Sequence, residues 1–464
     1  MKRDRYRASR IILLWVIGLL PAVLCVPAVG ADLPRPNIVL IVADDLGWTD
    51  LGDFGSTYYQ TPHLDRLCRQ GVKFTAAYTC GPNCAPTRAC LMSGLYSPRH
   101  GIYTVSSGAR GEAKFRKLIP PDNKVTLGPS FVTVAETLKQ GGYATGHFGK
   151  WHLGTTPESS PSAQGFEAEV QRSQRGSEDK YTAELVDHAV EFIARQRDRP
   201  FFLYLPFYAV HTPINARPET IDKYRPRKPV GGHRNPAYAA MLDNLDEGIG
   251  RVLDRLDALT LADRTVVIFT SDNGGVGGYR DAGIEGGKEI TKQTPLKGGK
   301  GMLYEGGVRV PTIVRWPGVV APGRVCAEPI ISVDFHPTLA RIAGLRPPTR
   351  TDGVSFLPLL ERADARLDRD AIYWHFPGYL QAGEDIGTWR TTPAGAIRTG
   401  RWKLIEFFED NRLELYDLAG DIGEQRNLAN ANPSKRDELH GKLVAWRKTV
   451  KAPMPRRKTG ELKE

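Results

Sequence analysis

Beyond residue 31 the 464-residue chain has no second long apolar run, so no later stretch reaches the roughly 20 apolar residues that a spanning helix needs. Cysteine is scarce, with six in all: Cys25, Cys68, Cys80, Cys84, Cys90 and Cys326. The spacings Cys80-x3-Cys84 and Cys84-x5-Cys90 lack paired C-x-x-C knuckles, which excludes a structural zinc site of that kind. No internal repeat, low-complexity linker or N-glycosylation sequon is present, so a solenoid or a mucin-like stalk is excluded as well. The formal net charge of +11 favours acidic partners through the long-range field. Its basic residues are scattered, however, and no helix-turn-helix, zinc-finger or RNA-sheet signature accompanies them, so the sequence implies no nucleic-acid partner.

What is there begins with an export signal. Lys2, Arg3, Arg5, Arg7 and Arg10 precede an apolar run from Ile11 to Val26, followed by the small residues Ala28, Gly30 and Ala31. This is the order of a secretory signal peptide over residues 1–31, with cleavage near Gly30 or Ala31. The run is interrupted by Gly18 and Pro21, which argues against stable membrane insertion. Five basic residues stand against Asp4 in this segment, so the charge falls from +11 to +7 once it is removed. The expected location is exported, periplasmic or secreted. Five cysteines then remain, an odd number for such a compartment, which leaves one thiol over. The sequence does not say how Cys68, Cys80, Cys90 and Cys326 pair, nor the oligomeric state.

With 41% hydrophobic residues, the length suits one large domain and a smaller one. Buried strands are predicted over Asn37–Ala43, Tyr143–Phe148, Pro200–Leu205, Thr265–Thr270 and Thr312–Trp316, from short, continuous apolar runs. Helices are predicted over Phe131–Gln140, Tyr181–Gln196 and Pro236–Leu259 from 3.6-residue periodicity. A further short helix runs from Pro62, with Thr61 as N-cap, to Gly71. Strands alternating with helices imply an α/β fold with a mainly parallel central sheet flanked by helices, over residues 32–369. From 370 to 464 the texture becomes short mixed segments, Ala396–Arg398, Trp402–Ile405 and Leu413–Tyr416. These predict a smaller C-terminal antiparallel subdomain with a helix from Lys435 to Thr449 and a disordered basic tail, Arg456-Arg457-Lys458.

Polar residues arrive where the buried strands end: Asp44-Asp45, then Lys150 and His152, then His211, then Asp272-Asn273. In open α/β sheets ligands bind at the carboxyl ends of strands. Three carboxylates and an amide suit a hard, oxygen-liganded cation such as calcium or magnesium; zinc fits poorly, because no close His or Cys pair serves it. Histidines and lysines suit an anionic substrate and proton transfer. Cys84 stands two residues before Pro86, a residue suited to a helix's first turn. That places it at or just before a helix N-terminus, where unpaired N–H groups favour anions. The reaction class is displacement at a charged phosphorus or sulfur centre with a metal as Lewis acid.

Cys84-Ala85-Pro86-Thr87-Arg88 resembles the C-x-P-[ST]-R signature of the type I sulfatases, in the alkaline phosphatase-like superfamily. The resemblance extends through Pro36-Asn37-Ile38-Val39, Asp44-Asp45-Leu46-Gly47-Trp48, Thr61-Pro62-His63-Leu64-Asp65 and Gly149-Lys150-Trp151-His152-Leu153-Gly154. Further along come Ser271-Asp272-Asn273-Gly274, Gly299-Lys300-Gly301 with Glu305-Gly306-Gly307, and Leu415-Tyr416-Asp417-Leu418. It implies that a maturase oxidises Cys84 to formylglycine, whose hydrate attacks sulfur. It also implies that Asp44, Asp45, Asp272 and Asn273 bind one Ca2+ together with the modified Cys84. Arg88 and His152 would hold the hydrate, Lys150 and Lys300 would neutralise the sulfate, and His211 would protonate the leaving alcohol. The implied substrate is a sulfated carbohydrate or an aryl sulfate. The alternative within the superfamily is a phosphonate monoester or phosphodiester hydrolase. Lys297 stands where many relatives carry arginine and is given no catalytic role, and His375 is assigned to packing.

Overall fold

The computed structural model describes residues 35–171, 179–285, 287–381 and 388–458. The signal-peptide segment lies outside them. Among these residues no helix is long and apolar enough to cross a membrane, and residues from Arg35 onward pack as one compact unit.

The core is a nine-stranded sheet, ordered Ile330–Ile331, Val72–Tyr78, Arg309–Arg315, Thr265–Ser271, Asn37–Ala43, Phe201–Pro206, Ala144–Phe148 and Ala168–Val170, with Arg324–Cys326 also beside Val72–Tyr78. Asn37–Ala43 is its axis, parallel to both neighbours, Leu40 lying opposite Tyr204 on one side and Ile268 on the other. Its side chains alternate between two cores. Val39 and Ile41 join the helices Thr182–Arg195 and Pro236–Ala258, while Ile38, Leu40 and Val42 join Cys84–Ser93, Val134–Gln140 and Phe335–Ile342. A strand covered on both faces has no polar alternation to show, which is why its sequence is a continuous apolar run.

Arg309–Arg315 is antiparallel to both of its neighbours. Two reversals restore direction, so the carboxyl end of Val72–Tyr78 returns to the same sheet edge as those of Asn37–Ala43 and Thr265–Ser271. That edge is where Cys84 emerges. The predicted strand at 312 is longer than expected, and Val72–Tyr78 was not predicted although Val72, Phe74 and Ala76 alternate with polar residues.

Element ends follow local chemistry. The predicted helix at 131 starts later, at Val134, because Thr133 and Glu136 form a capping box. Thr61 does not cap the helix Pro62–Gln70 with its side chain. Buried Asp246 takes that place from another helix, accepting from the amides of His63 at 3.0 Å and Leu64 at 2.8 Å.

The C-terminal antiparallel sheet runs Ile372–Phe376, Ala394–Thr399, Trp402–Phe407, Arg412–Asp417. Leu439 and Leu443 of the helix Pro433–Val450 pack on Ile397, Leu404 and Leu415. Trp374 donates its indole N–H to the Thr79 carbonyl at 2.7 Å, fixing the sheet to the segment leading into Cys84. The basic tail departs from expectation: Arg456–Arg457 form a short strand antiparallel to Leu118–Ile119, which occupies backbone groups that a free tail would leave to water.

Candidate active site

Four neighbouring parallel strands end at the site. Asp44 leaves the central strand held on both sides, its amide donating to the Ala209 carbonyl at 2.9 Å and its carbonyl accepting from Val210 at 2.8 Å. Asp45 follows with φ 64°, a left-handed conformation uncommon away from glycine. Its amide donates to Asp272 Oδ1 at 3.2 Å. Next door the Lys150 amide donates to the Pro206 carbonyl at 2.7 Å. Behind the aspartates, Asp50 ties the turn down: it accepts from the Gly47 amide at 2.9 Å, Tyr238 at 2.6 Å and Thr291 at 2.8 Å.

Cys84 is the first residue of the buried helix Cys84–Ser93. Asn83, just before it, donates to Thr104 Oγ1 at 2.8 Å, and the Thr87 hydroxyl donates to the Gly81 carbonyl at 3.1 Å. These bonds hold the helix entry, so Cys84 Sγ lies 3.4 Å from Asp44 Oδ1, 3.9 Å from Asp45 Oδ1 and 3.5 Å from Lys300 Nζ. Donor atoms of Asp44, Asp45, Cys84 and His211 all fall within 4.8 Å of one another.

Cations answer the carboxylates one for one. Lys150 Nζ is 2.5 Å from Asp44 Oδ2, and Lys300 Nζ is 2.7 Å from Asp45 Oδ2. Arg88, fully buried one turn beyond Cys84, reaches Asp272 Oδ2 through Nε at 2.9 Å and Nη2 at 2.7 Å, and donates to the Lys150 carbonyl at 2.7 Å. Asn273 Nδ2 donates to Asp45 Oδ1 at 2.8 Å. His211 Nε2 lies 3.7 Å from Asp45 Oδ2, and its ring is partly exposed.

Protonation follows from this arrangement. Burial opposes ionisation of Asp44 and Asp45, yet Lys150 and Lys300 outweigh it and hold both carboxyls below the usual range. Burial and the Asp44 charge push the Cys84 thiol far up. A thiolate is the nucleophilic form of cysteine, so the unmodified side chain is a poor nucleophile here. Burial, then Lys150 and Arg88, lower His152 to about 3, leaving a neutral imidazole.

The sulfatase family model matches residues 36–345, and the model of the C-terminal part of N-sulphoglucosamine sulphohydrolase matches 299–449. A "Sulfatase" of Formosa agariphila is 35% identical, covering 89% of this chain and 88% of that protein. The chain belongs to the sulfatase family. Human N-acetylgalactosamine-6-sulfatase is 32% identical over 75% of this chain and 69% of its own length. The crystal structure of Ps i-CgsB with k-i-k-neocarrahexaose superposes with a TM-score of 0.74 at 27% identity, covering 92% of this chain and 95% of that one. This protein is accordingly a sulfuric ester hydrolase with the alkaline phosphatase-like fold.

The sulfatase family implies a metal, and the residues fit a hard cation. The donor set is carboxylate and amide oxygen, and Asn273 Oδ1 is buried without a hydrogen-bond partner. Asp272 is the less available member, since Arg88 takes its Oδ2. Lys297 lies apart from the cluster, its ammonium 4.2 Å from the Tyr304 ring. His375 is buried and bonded to the Pro453 carbonyl at 2.9 Å.

A cavity of about 710 Å³ opens beside Lys150 and His152, walled by Thr104, Val105, Ser106 and Tyr208. Sequence reading missed Lys180, which feels the charges of Asp44 and Lys150, and Arg110, which feels burial and the charge of Arg390. Both sit in irregular segments with no motif, so composition and periodicity carry no signal for them.

Proposed function

We propose that this sulfatase hydrolyses sulfate monoesters of sulfated carbohydrates through a formylglycine made from Cys84 by a maturase. The observation that carries the reading is the thiol itself: buried at a helix N-terminus, within 3.4–3.9 Å of two carboxylates and a lysine, and held protonated. An aldehyde hydrate at this position has two hydroxyls. One would supply the nucleophile toward sulfur, displacing the alcohol, to which His211 would give a proton. The second would supply the exit by which sulfate leaves and the aldehyde returns, so water need not attack sulfur. Asp272 and neutral His152 are the neighbouring acceptors for nucleophile protons, while Arg88 fixes Asp272 and Lys150. Lys150 and Lys300 offset the sulfate charge, the kind of preorganised stabilisation that carries most catalytic power.

Asp44, Asp45, Asp272 and Asn273 would hold one calcium ion, which supplies Lewis-acid polarisation of a sulfate oxygen. The carbohydrate assignment is supported by relatives that are named as carbohydrate sulfatases, and the N-terminal signal supports export to the periplasm or medium. The fold alone is also shared with a phosphonate monoester hydrolase of Agrobacterium radiobacter, at 21% identity and TM-score 0.68. Peptide mass spectrometry across Cys84, on protein made with a maturase, is expected to show an aldehyde in place of the thiol. An intact cysteine in active protein would overturn the mechanism. Matched aryl sulfate, phosphate and phosphonate esters test the reaction, with sulfate expected to be cleaved fastest.

A further inference from the structure

Two arginines beside the site remain unexplained by the chemistry above. Arg110 is half-buried, and its Nη2 donates to the Val105 carbonyl and, at 3.3 Å, to Ser106 Oγ. Val105 and Ser106 wall the cavity that also contains Lys150 and His152. The loop is braced from behind: Arg116 Nη1 donates to the carbonyls of Ala109, Arg110 and Gly111. Arg390 comes from the C-terminal part of the chain. Its guanidinium stacks 4.7 Å from the Tyr279 ring, and Tyr279 donates to the Lys300 carbonyl at 3.1 Å. A Cβ at Gly301 would fall 2.4 Å from Arg390 Cδ, so Arg390 lies directly on the Lys300–Gly301 turn. The Gly301 amide in turn donates to the Pro82 carbonyl, 2.7 Å away, in the segment entering Cys84.

The two arginine segments touch each other. A Cβ at Gly111, whose φ is +69°, would lie 2.6 Å from Trp389 Cη2, so a side chain there would push against the indole. Among the described residues neither guanidinium forms an ion pair with a carboxylate, and Arg390 Nε is buried with no acceptor. Burial and the neighbouring Arg390 charge both lower the pKa of Arg110. Two half-buried like charges with no carboxylate partner among the described residues are costly, and an anion bound by both removes that cost. Planar guanidinium donors match sulfate and carboxylate oxygens.

We propose that Arg110 and Arg390 form a second anion subsite, which binds a sulfate or carboxylate of the substrate other than the group being cleaved. The sulfatase therefore prefers sugars carrying a second negative substituent near the scissile ester. This inference rests on the sulfatase reading, but binding tests it without turnover.

The experiment uses full-length Cys84→Ala protein and calorimetric titration with D-glucosamine 6-O-sulfate, D-glucosamine 2-N,6-O-disulfate and a 6-O-sulfated hexosamine linked to a uronate. At least one doubly anionic probe is expected to bind about 10-fold or more tighter than the monosulfate. Adding Arg110→Gln or Arg390→Gln should reduce that preference to about twofold or less, whatever either change does to the monosulfate itself. Preference for the N-sulfated probe identifies sulfate, and preference for the uronate probe identifies carboxylate. Equal affinity for all three probes, or a preference that survives both substitutions, overturns the subsite. Absence of sulfate release by matured wild-type protein would instead overturn the functional reading and leave the binding ratio to decide the subsite.

Discussion

Replacing Lys300 by methionine is expected to move three observables, two of them in opposite senses. Lys300 Nζ is 2.7 Å from Asp45 Oδ2 and 3.5 Å from Cys84 Sγ, and its side chain is only 12% exposed. At that separation and an effective dielectric of about 20, the attraction to Asp45 is about 6 kcal/mol. Desolvation of both groups offsets part of it, and stranding one member of a buried pair costs about 3–5 kcal/mol. Unfolding of the apo protein by urea should therefore shift by about that amount. Removing a positive charge beside Asp45 also lowers repulsion of a divalent cation, so calcium affinity should rise. Sulfate release should fall by about 10²–10³ in kcat, the usual consequence of deleting one preorganised donor to a developing anion. The assay is release of sulfate from an aryl sulfate, by protein whose Cys84 conversion has been verified by mass spectrometry. Fully converted Lys300→Met protein within threefold of wild-type turnover would refute the assignment of Lys300 to the sulfate, whatever its stability.

Other expectations follow from the same geometry. His211→Gln should slow sugar sulfates by about 10²–10⁴, the range for a lost general acid, while 4-nitrophenyl sulfate, whose leaving group needs no proton, should be nearly unaffected; equal losses on both would remove His211 from that role. Calcium added to chelator-treated protein at about 100 times its dissociation constant should stabilise the fold by about 2.7 kcal/mol and restore turnover, and an unchanged melting temperature would exclude the proposed ligand set. Burial raises the Asp246 carboxyl to about 7. The folded state then holds this proton more tightly than the unfolded state, so its contribution to stability is greatest below about pH 4 and falls as pH rises towards 7. Asp246→Asn should flatten that part of the pH–stability curve by up to about 1.4 kcal/mol per pH unit, measured by urea unfolding at several pH values; an unchanged slope would mean that Asp246 is ionised throughout.

Much of the site was legible because its residues stand in local contexts with their own physics. Asp44-Asp45 and Asp272-Asn273 follow β-branched apolar runs that read as strands buried on both faces, and strand ends are where such sheets expose polar groups. Cys84 was placed at a helix start by Pro86. Val72–Tyr78 was harder to see, because its alternation ends after five residues in the small pair Ala76-Ala77. Thr61 stands at the N-cap as expected, but its hydroxyl is engaged by Gly52 and Asp65, and the first helical amides go instead to Asp246, about 180 residues away. The ordered Arg456–Arg457 strand likewise depends on a partner, Leu118–Ile119, that is remote in sequence.

By itself the sequence determined the central strands of the sheet, the helices Thr182–Arg195 and Pro236–Ala258 and the motifs that mark the family, since each is encoded in short-range pattern. Only the tertiary structure decided which charges meet. Lys150 chooses Asp44, Lys300 chooses Asp45 and Arg88 chooses Asp272, pairings that depend on strand order and on two chain reversals around Arg309–Arg315. The Cys84 thiol is ordinary as a letter in the sequence and becomes unreactive through burial among those carboxylates. Arg110 and Arg390, 280 positions apart in the chain, become neighbours only because Trp389 and Arg390 pack against Gly111 and the Gly301 turn.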